Sequence, residues 1–160
     1  MKFFSWGKDG GPESKVKGFW FVEIKPLFSI VLLRFSHGSR EAYHGHAFNC
    51  FSWVLKGSLQ EKFLYCPGYE RCTPKDTRWH MPSWKPFVTR REDFHKVSSY
   101  GTTWVLSFRG PWDKEWEEYD EITQELYTLK QGRIKAPDAN DYIKAKIEAA
   151  RENRMASRPR

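Results

Sequence analysis

Cysteine is scarce in this 160-residue, 19.0 kDa chain, and what there is does not pair in an obvious way. Cys50, Cys66 and Cys72 make an odd count, and no CxxC stands among them. A structural zinc site needs tighter ligand spacing than Cys66 and Cys72 provide around the Pro67-Gly68 turn. Long apolar runs are missing as well. The longest, Ile30 to Leu33, is strand-sized and far short of the ~18 residues of a membrane span. Nor does the start of the chain read as a secretory signal: Lys2 is followed only by Phe3, Phe4 and Trp6 before a Gly-rich stretch. These absences lead us to expect free thiols in a reducing, cytoplasmic setting, without a membrane partner. No internal repeat is present.

Aromatic residues are abundant instead: 12 Phe, 8 Trp and 7 Tyr make up 17% of the chain. Such side chains favour strands and large packed surfaces, which excludes disorder, a coiled coil and a simple helical bundle. The formal net charge of +7 suits anionic ligands or nucleic acid, although the basic residues are spread along the chain as on any solvated surface.

Alternation and turn residues divide the sequence. Residues 1–18 are rich in Gly, Lys and Ser and read as a leader or loop. Strands are expected at Phe19–Ile24, Phe28–Phe35, from Tyr43 to Leu55, Leu59–Tyr65 and Thr102–Arg109, with shorter ones at Arg78–Met81, Phe87–Arg91, Phe94–Val97 and Tyr127–Lys130. Lys56-Gly57-Ser58 reads as a hairpin turn. Cys66–Thr77 reads as a long loop, and Asp113–Glu125 as acidic loop or short helix. Many short strands with regular turns indicate an all-β sandwich or barrel over 19–132. Residues 133–160 are expected to form a C-terminal helix and basic tail: Asp138 can cap a segment in which Tyr142, Ile143, Ile147 and Ala150 fall at helical spacing.

The chemistry centres on His44 and His46. Side chains two apart on a strand share a face, so these imidazoles converge on one ion or one substrate. His95, on a later strand, joins them if the sheet closes. Three neutral imidazoles suit a divalent metal ion, Fe, Zn, Mn or Ni, with water or substrate in the open positions. His37 and His80, in a turn and beside a proline, rank lower.

The segment HGHAFNCFSWVLKG, His44 to Gly57, resembles the first motif of cupins. FHKV at Phe94–Val97 with TTWVLSFRGPW at Thr102–Trp112 resembles the second motif and the closing strand. The likeness runs from Phe19 to Tyr119 and is closest to small bacteriophage-encoded members. It implies a double-stranded β-helix, the jelly-roll barrel of cupins, with His44, His46 and His95 as metal ligands. It also implies a homodimer, and the infected host's cytoplasm as the setting. Two features depart from the family pattern. The usual glutamate after the second histidine is replaced by Cys50, a thiolate ligand or a small buried residue, and RREDF precedes His95 without the usual Pro-x-Gly.

Glu61 is a substitute carboxylate, as ligand or general base. A simple hairpin over Gly57 places it on the face opposite His46, and a bulge would bring it round. Phe48, Cys50 and Ser52 share the histidine face. Arg34 and Arg109 are candidate clamps for a carboxylate or phosphate. Trp53 and Trp104 are candidate pocket wall, and Trp84, Trp112 and Trp116 candidate rim. Three functions remain in order: a metal-dependent dioxygenase, isomerase or lyase acting on a small polar or anionic molecule; a non-catalytic binder of a small ligand or nucleotide; and a nucleic-acid module using the C-terminal helix.

Overall fold

The computed structural model of the chain describes residues 1–10, 14–37, 43–65, 72–120, 125–130 and 134–135. Their strands are β1 (Lys2–Lys8), β2 (Lys17–Ile24), β3 (Phe28–Phe35), β4 (Tyr43–His44), β5 (Cys50–Lys56), β6 (Leu59–Tyr65), β7 (Thr73–His80), β8 (Phe87–Thr89), β9 (Phe94–Ser99), β10 (Thr103–Arg109), β11 (Glu115–Asp120), β12 (Glu125–Lys130) and β13 (Ile134–Lys135). They form two antiparallel sheets, in the orders β1-β2-β3-β10-β5-β8 and β13-β12-β11-β4-β9-β6-β7.

Period-two alternation decides what faces inward. In β3, Ser29, Val31, Leu33 and Phe35 are buried, while Phe28, Ile30, Leu32 and Arg34 point outward. Val31, Leu33 and Phe35 join Val16, Trp20, Val54, Leu59 and Val105 in one apolar cluster between the sheets. Each such side chain contributes roughly 1.5–3 kcal/mol by leaving water. A second, smaller cluster of Ala47, Phe48 and Cys50 packs with Trp112 and Trp116.

Three expectations change. Residues 1–18, read as leader or loop, contain β1, which pairs with β2 from Lys2↔Glu23 to Lys8↔Lys17. Gly18 makes room rather than breaks structure: a Cβ on it would lie 2.9 Å from the buried Trp20 ring. Part of the Cys66–Thr77 loop is strand β7, paired with β6 from Leu59↔His80 to Tyr65↔Thr73. As an edge strand it is almost wholly exposed and tolerates Pro74, so its sequence carries no apolar alternation. The acidic stretch after Trp112 contains β11, which pairs with both β12 and β4. The expected helix and tail over 133–160 lie outside the described residues, apart from β13.

The cysteines also depart from the reading of free thiols. Cys50 is free and buried, but Cys72, next to β7, is disulfide-bonded. A cross-link beside an edge strand with few buried side chains restrains the unfolded chain and so favours the paired state.

Lys56-Gly57-Ser58 is not the turn of a two-stranded hairpin. It hands the chain from one sheet to the other: β5 pairs with β10 and β8, while β6 pairs with β9 and β7. Thr103 ties the corner, its hydroxyl donating to the Ser58 carbonyl (2.9 Å) and accepting the Ser58 N–H (3.1 Å).

Candidate metal centre

His44 ends β4 and stands directly opposite His95 of β9. The chain then leaves the ladder at Gly45, whose N–H donates to the Glu117 carbonyl (2.8 Å). A Cβ at Gly45 would lie 2.9 Å from the Arg91 carbonyl oxygen, so only glycine lets these segments close around the site. Two residues past His44, the His46 ring comes back to the same point.

The three rings form a near-equilateral triangle, with centroid separations of 4.9 Å (His44–His46), 5.0 Å (His44–His95) and 4.9 Å (His46–His95). One nitrogen from each lies within 4.8 Å of the others. His44 and His95 are buried and His46 is half-buried. The hydrogen-bond network sets the tautomer of His95. Its Nδ1–H donates to Glu61 Oε1 (2.7 Å), so its Nε2 lone pair faces His46 Nε2, 2.7 Å away. Either a proton or a cation must lie between those two nitrogens. The donor set fits a divalent ion: three imidazole nitrogens on one side, with a cavity on the other.

Glu61 stands behind His95 rather than beside it. Its other oxygen, Oε2, accepts the Nε2–H of His80 (2.6 Å), and the Thr89 hydroxyl approaches Oε1 (3.4 Å). Burial alone would raise its pKa, but the hydrogen bonds from His80 and His95 overcome this and hold the carboxyl down at about 2. Glu61 faces inward without a β5–β6 bulge because its orientation is set by pairing with β9, where Glu61 lies opposite Val97 and Phe63 opposite His95.

A cavity of about 340 Å³ opens from the histidines. Cys50 and Ser52 line it, with Ser52 donating to the Ser107 hydroxyl (3.0 Å). Burial pushes the Cys50 thiol up despite the nearby Arg109. Phe48 leads away from His46 (5.1 Å between centroids) to Trp112 (5.0 Å) and lies under the Arg109 guanidinium (4.8 Å). Arg109 is only 5% exposed, and both terminal nitrogens donate to Asp9 (3.0 and 2.8 Å). Burial works against its charge, and the Asp9 carboxylate more than offsets this, so the guanidinium is held above its ordinary pKa. Arg109 Nε and Trp112 Nε1 are buried without a hydrogen-bond partner among the described residues. The Lys25 ammonium lies 4.8 Å over the Trp112 ring.

Of the residues singled out in the sequence, His44, His46, His95, Glu61, Cys50, Ser52 and Arg109 thus share one cavity. Arg34, Trp53 and Trp104 do not reach it. They alternate with inward residues and point to the outer face of the six-stranded sheet, where Arg34 and Trp104 line a separate groove and Trp53 donates its Nε1–H to the Trp84 carbonyl (2.9 Å). Trp84, an expected rim residue, is 83% exposed and outside the cavity wall, whereas Trp112 and Trp116 belong to it. Sequence reasoning missed Asp9 and underrated His80. Both act through partners that only cross-strand register and corner geometry bring near.

No family model matches the chain, and no curated protein matches it. Solved structures do. A sugar phosphate isomerase of the cupin superfamily from Silicibacter pomeroyi superposes with a TM-score of 0.52 and 10% identity, covering 76% of both chains. The FeII form of HppE superposes with a TM-score of 0.50 and 17% identity, over 66% of this chain. The match spans only 55% of the HppE chain's own length. These likenesses concern the fold. Two antiparallel sheets closing over a histidine-lined cavity, in an arrangement shared with cupin structures, make this an all-β protein of cupin fold.

Proposed function

We propose that the protein is a metal-dependent cupin enzyme acting on a small anionic molecule. The observation that carries this reading is the triangle of His44, His46 and His95, with one nitrogen of each within 4.8 Å of the others. His44, His46 and His95 would hold a divalent ion, Fe, Zn, Mn or Ni, which would supply Lewis acidity or redox chemistry to a bound molecule. The reaction classes open to such a site are dioxygenase, isomerase and lyase.

The chain's own residues have separable parts in this reading. Glu61 keeps the Nδ1 proton on His95 and so keeps its Nε2 available as a ligand. Phe48 and Trp112 form an apolar wall that keeps bulk water from the histidines. At the far end, Arg109 Nε and Trp112 Nε1 offer two buried donors without partners, and Lys25 adds positive charge beside them. Four basic side chains, Lys2, Lys8, Lys25 and Arg109, line the cavity against the acidic Asp9, Glu23 and Glu61. A molecule with a metal-binding group at one end and a hydrogen-bond-accepting anion at the other matches this polarity. The chain's net charge of +7 draws such molecules in.

The test is metal analysis after anaerobic reconstitution with Fe(II), Zn(II), Mn(II) and Ni(II) separately. About one ion per chain is expected for at least one metal, with uptake lost in His44→Ala/His46→Ala while the folded circular-dichroism signal persists. Failure of the native protein to take up any of the four refutes the reading.

A further inference from the structure

We propose that the outer face of the six-stranded sheet binds a short single strand of nucleic acid. This inference stands apart from the metal centre, which is built on the inner side of the sheets. Acidic residues are segregated away from the six-stranded sheet. Among its strands Glu23 is the only acid, and it is buried against the cavity. In the other sheet β11 alone carries four, Glu115, Glu117, Glu118 and Asp120.

Register collects the cations. Lys8 stands opposite Lys17, Lys17 opposite Arg34, Arg34 opposite Trp104, and Trp104 opposite Lys56, so one row crosses β1, β2, β3, β10 and β5. Directly opposed residues share a face, and like charges so placed destabilise a sheet until an anion neutralises them. Lys8, Lys17 and Lys56 are exposed and Arg34 is half-buried. None of Lys17, Arg34 and Lys56 is in an ion pair with another described residue. Indole rings flank the row. Trp6 and Trp104 line an open groove of about 820 Å³ together with Lys8, Lys17, Arg34 and Thr102. Trp6 is 62% exposed and leans on Phe19, 4.9 Å between centroids, which steadies its ring without covering it. The adjoining row, Phe19, Leu32, Leu106 and Trp53, contains no charge.

A polymer that alternates phosphates with flat bases matches both features. Its phosphates lie along the cationic row, where Arg34 can hold one by two hydrogen bonds, and its bases stack on the indoles. Five strands spaced ~4.8 Å apart make the row about 19 Å long. A stacked strand carries a phosphate about every 3.4 Å, so the row takes at most about five nucleotides. A duplex hides the faces of its bases and has nothing to offer the indoles. A bilayer surface is flat and would leave the groove unfilled.

Fluorescence anisotropy of a labelled oligothymidylate of about 12 nucleotides tests this on the full chain. Four cations at about −0.7 each predict a slope near −2.8 for log K against log[salt], or a loss of about 50-fold between about 50 and 200 mM. Lys17→Ala/Arg34→Ala should flatten the slope to about −1.4. Trp6→Leu, at an exposed position, should weaken binding about 5- to 150-fold with the slope unchanged. Lys62→Ala/Lys75→Ala removes the same charge from the other sheet and should change affinity by less than about twofold. Circular dichroism and a cooperative melt establish that each variant is folded. No binding of the oligothymidylate at about 100 μM protein and about 50 mM salt overturns the proposal. A duplex of the same length bound as tightly as the single strand overturns it, as does an equal loss from the substitutions on the other sheet. Adsorption to phosphatidylserine vesicles without binding of the oligothymidylate overturns it in favour of a membrane.

Discussion

Replacing Glu61 by leucine isolates what the carboxylate does for His95. Two short hydrogen bonds disappear at once, from His95 Nδ1 (2.7 Å) and from His80 Nε2 (2.6 Å). His95 keeps its place in β9 and its contact with Phe63 (5.8 Å between centroids), so the backbone stays put. It loses the acceptor that fixes its proton on Nδ1 and raises the basicity of Nε2. Loss of such a partner typically weakens metal binding 10–100-fold, or about 1.4–2.7 kcal/mol. Glutamine is the milder change. Its single carbonyl can still accept from His95, while its amide N–H faces His80, whose ring adapts by moving its own proton. Glu61→Gln should therefore cost under ~5-fold. The assay is competition against a chromogenic chelator with Co(II) or Zn(II), with near-ultraviolet circular dichroism as the check on folding. A folded Glu61→Leu protein that binds metal within about twofold of the native protein would refute the positioning role.

Three further outcomes follow from named contacts. Asp9→Ala strands the buried Arg109 guanidinium; we expect a loss of roughly 3 kcal/mol and a Tm lower by about 6–12 °C, largely recovered in Asp9→Ala/Arg109→Met. Gly57→Ala forces a Cβ to within 2.7 Å of the Thr102 carbonyl at a φ of +84°, and thermal melts should show a loss of about 1–3 kcal/mol. The Glu61 carboxyl lies at about 2 in the folded chain against 4.5 for the unperturbed group. Because the folded value is the lower one, its stabilisation is complete above about pH 4.5 and drains away as pH falls towards 2. The Tm difference between native protein and Glu61→Gln should therefore shrink over that window, and a constant difference would count against the assignment.

The fold was legible where apolar alternation was strong. FSIVLLRF and TTWVLSFR announce β3 and β10 because both are dense in the β-branched and aromatic residues that favour strands. β1, β7 and β11 were not legible for a shared reason. In each, backbone pairing holds a strand whose described side chains are exposed or half-buried, so no apolar alternation marks it. At the site, His44 and His46 do converge, but not as neighbours on one strand: the expected strand from Tyr43 to Leu55 breaks after His44, and the chain leaves the ladder at Gly45 before the His46 ring returns. The orientation of Glu61 did not follow, since local reasoning takes Gly57 for a hairpin and the corner actually changes sheets. The parts given to Arg34, Trp53 and Trp104 differ by one step of the pleat: in β3, β5 and β10 the inward positions are their neighbours Leu33, Phe35, Ser52, Val54, Thr103 and Val105.

The pairing of His44 with His95 also bears on how the protein acquires its site. The two lie 51 positions apart in the chain, and Glu61 reaches His95 across 34 and His80 across 19. Glu61 and His80 share the β6–β7 hairpin, but His44 and His95 lie on strands that no hairpin joins, so that hairpin cannot hold the triangle by itself. Such non-local pairing folds slowly, on the order of milliseconds to seconds. A metal ion bound by the three nitrogens would require the β4–β9 pairing to be in place, so its uptake during refolding would report the completion of that pairing.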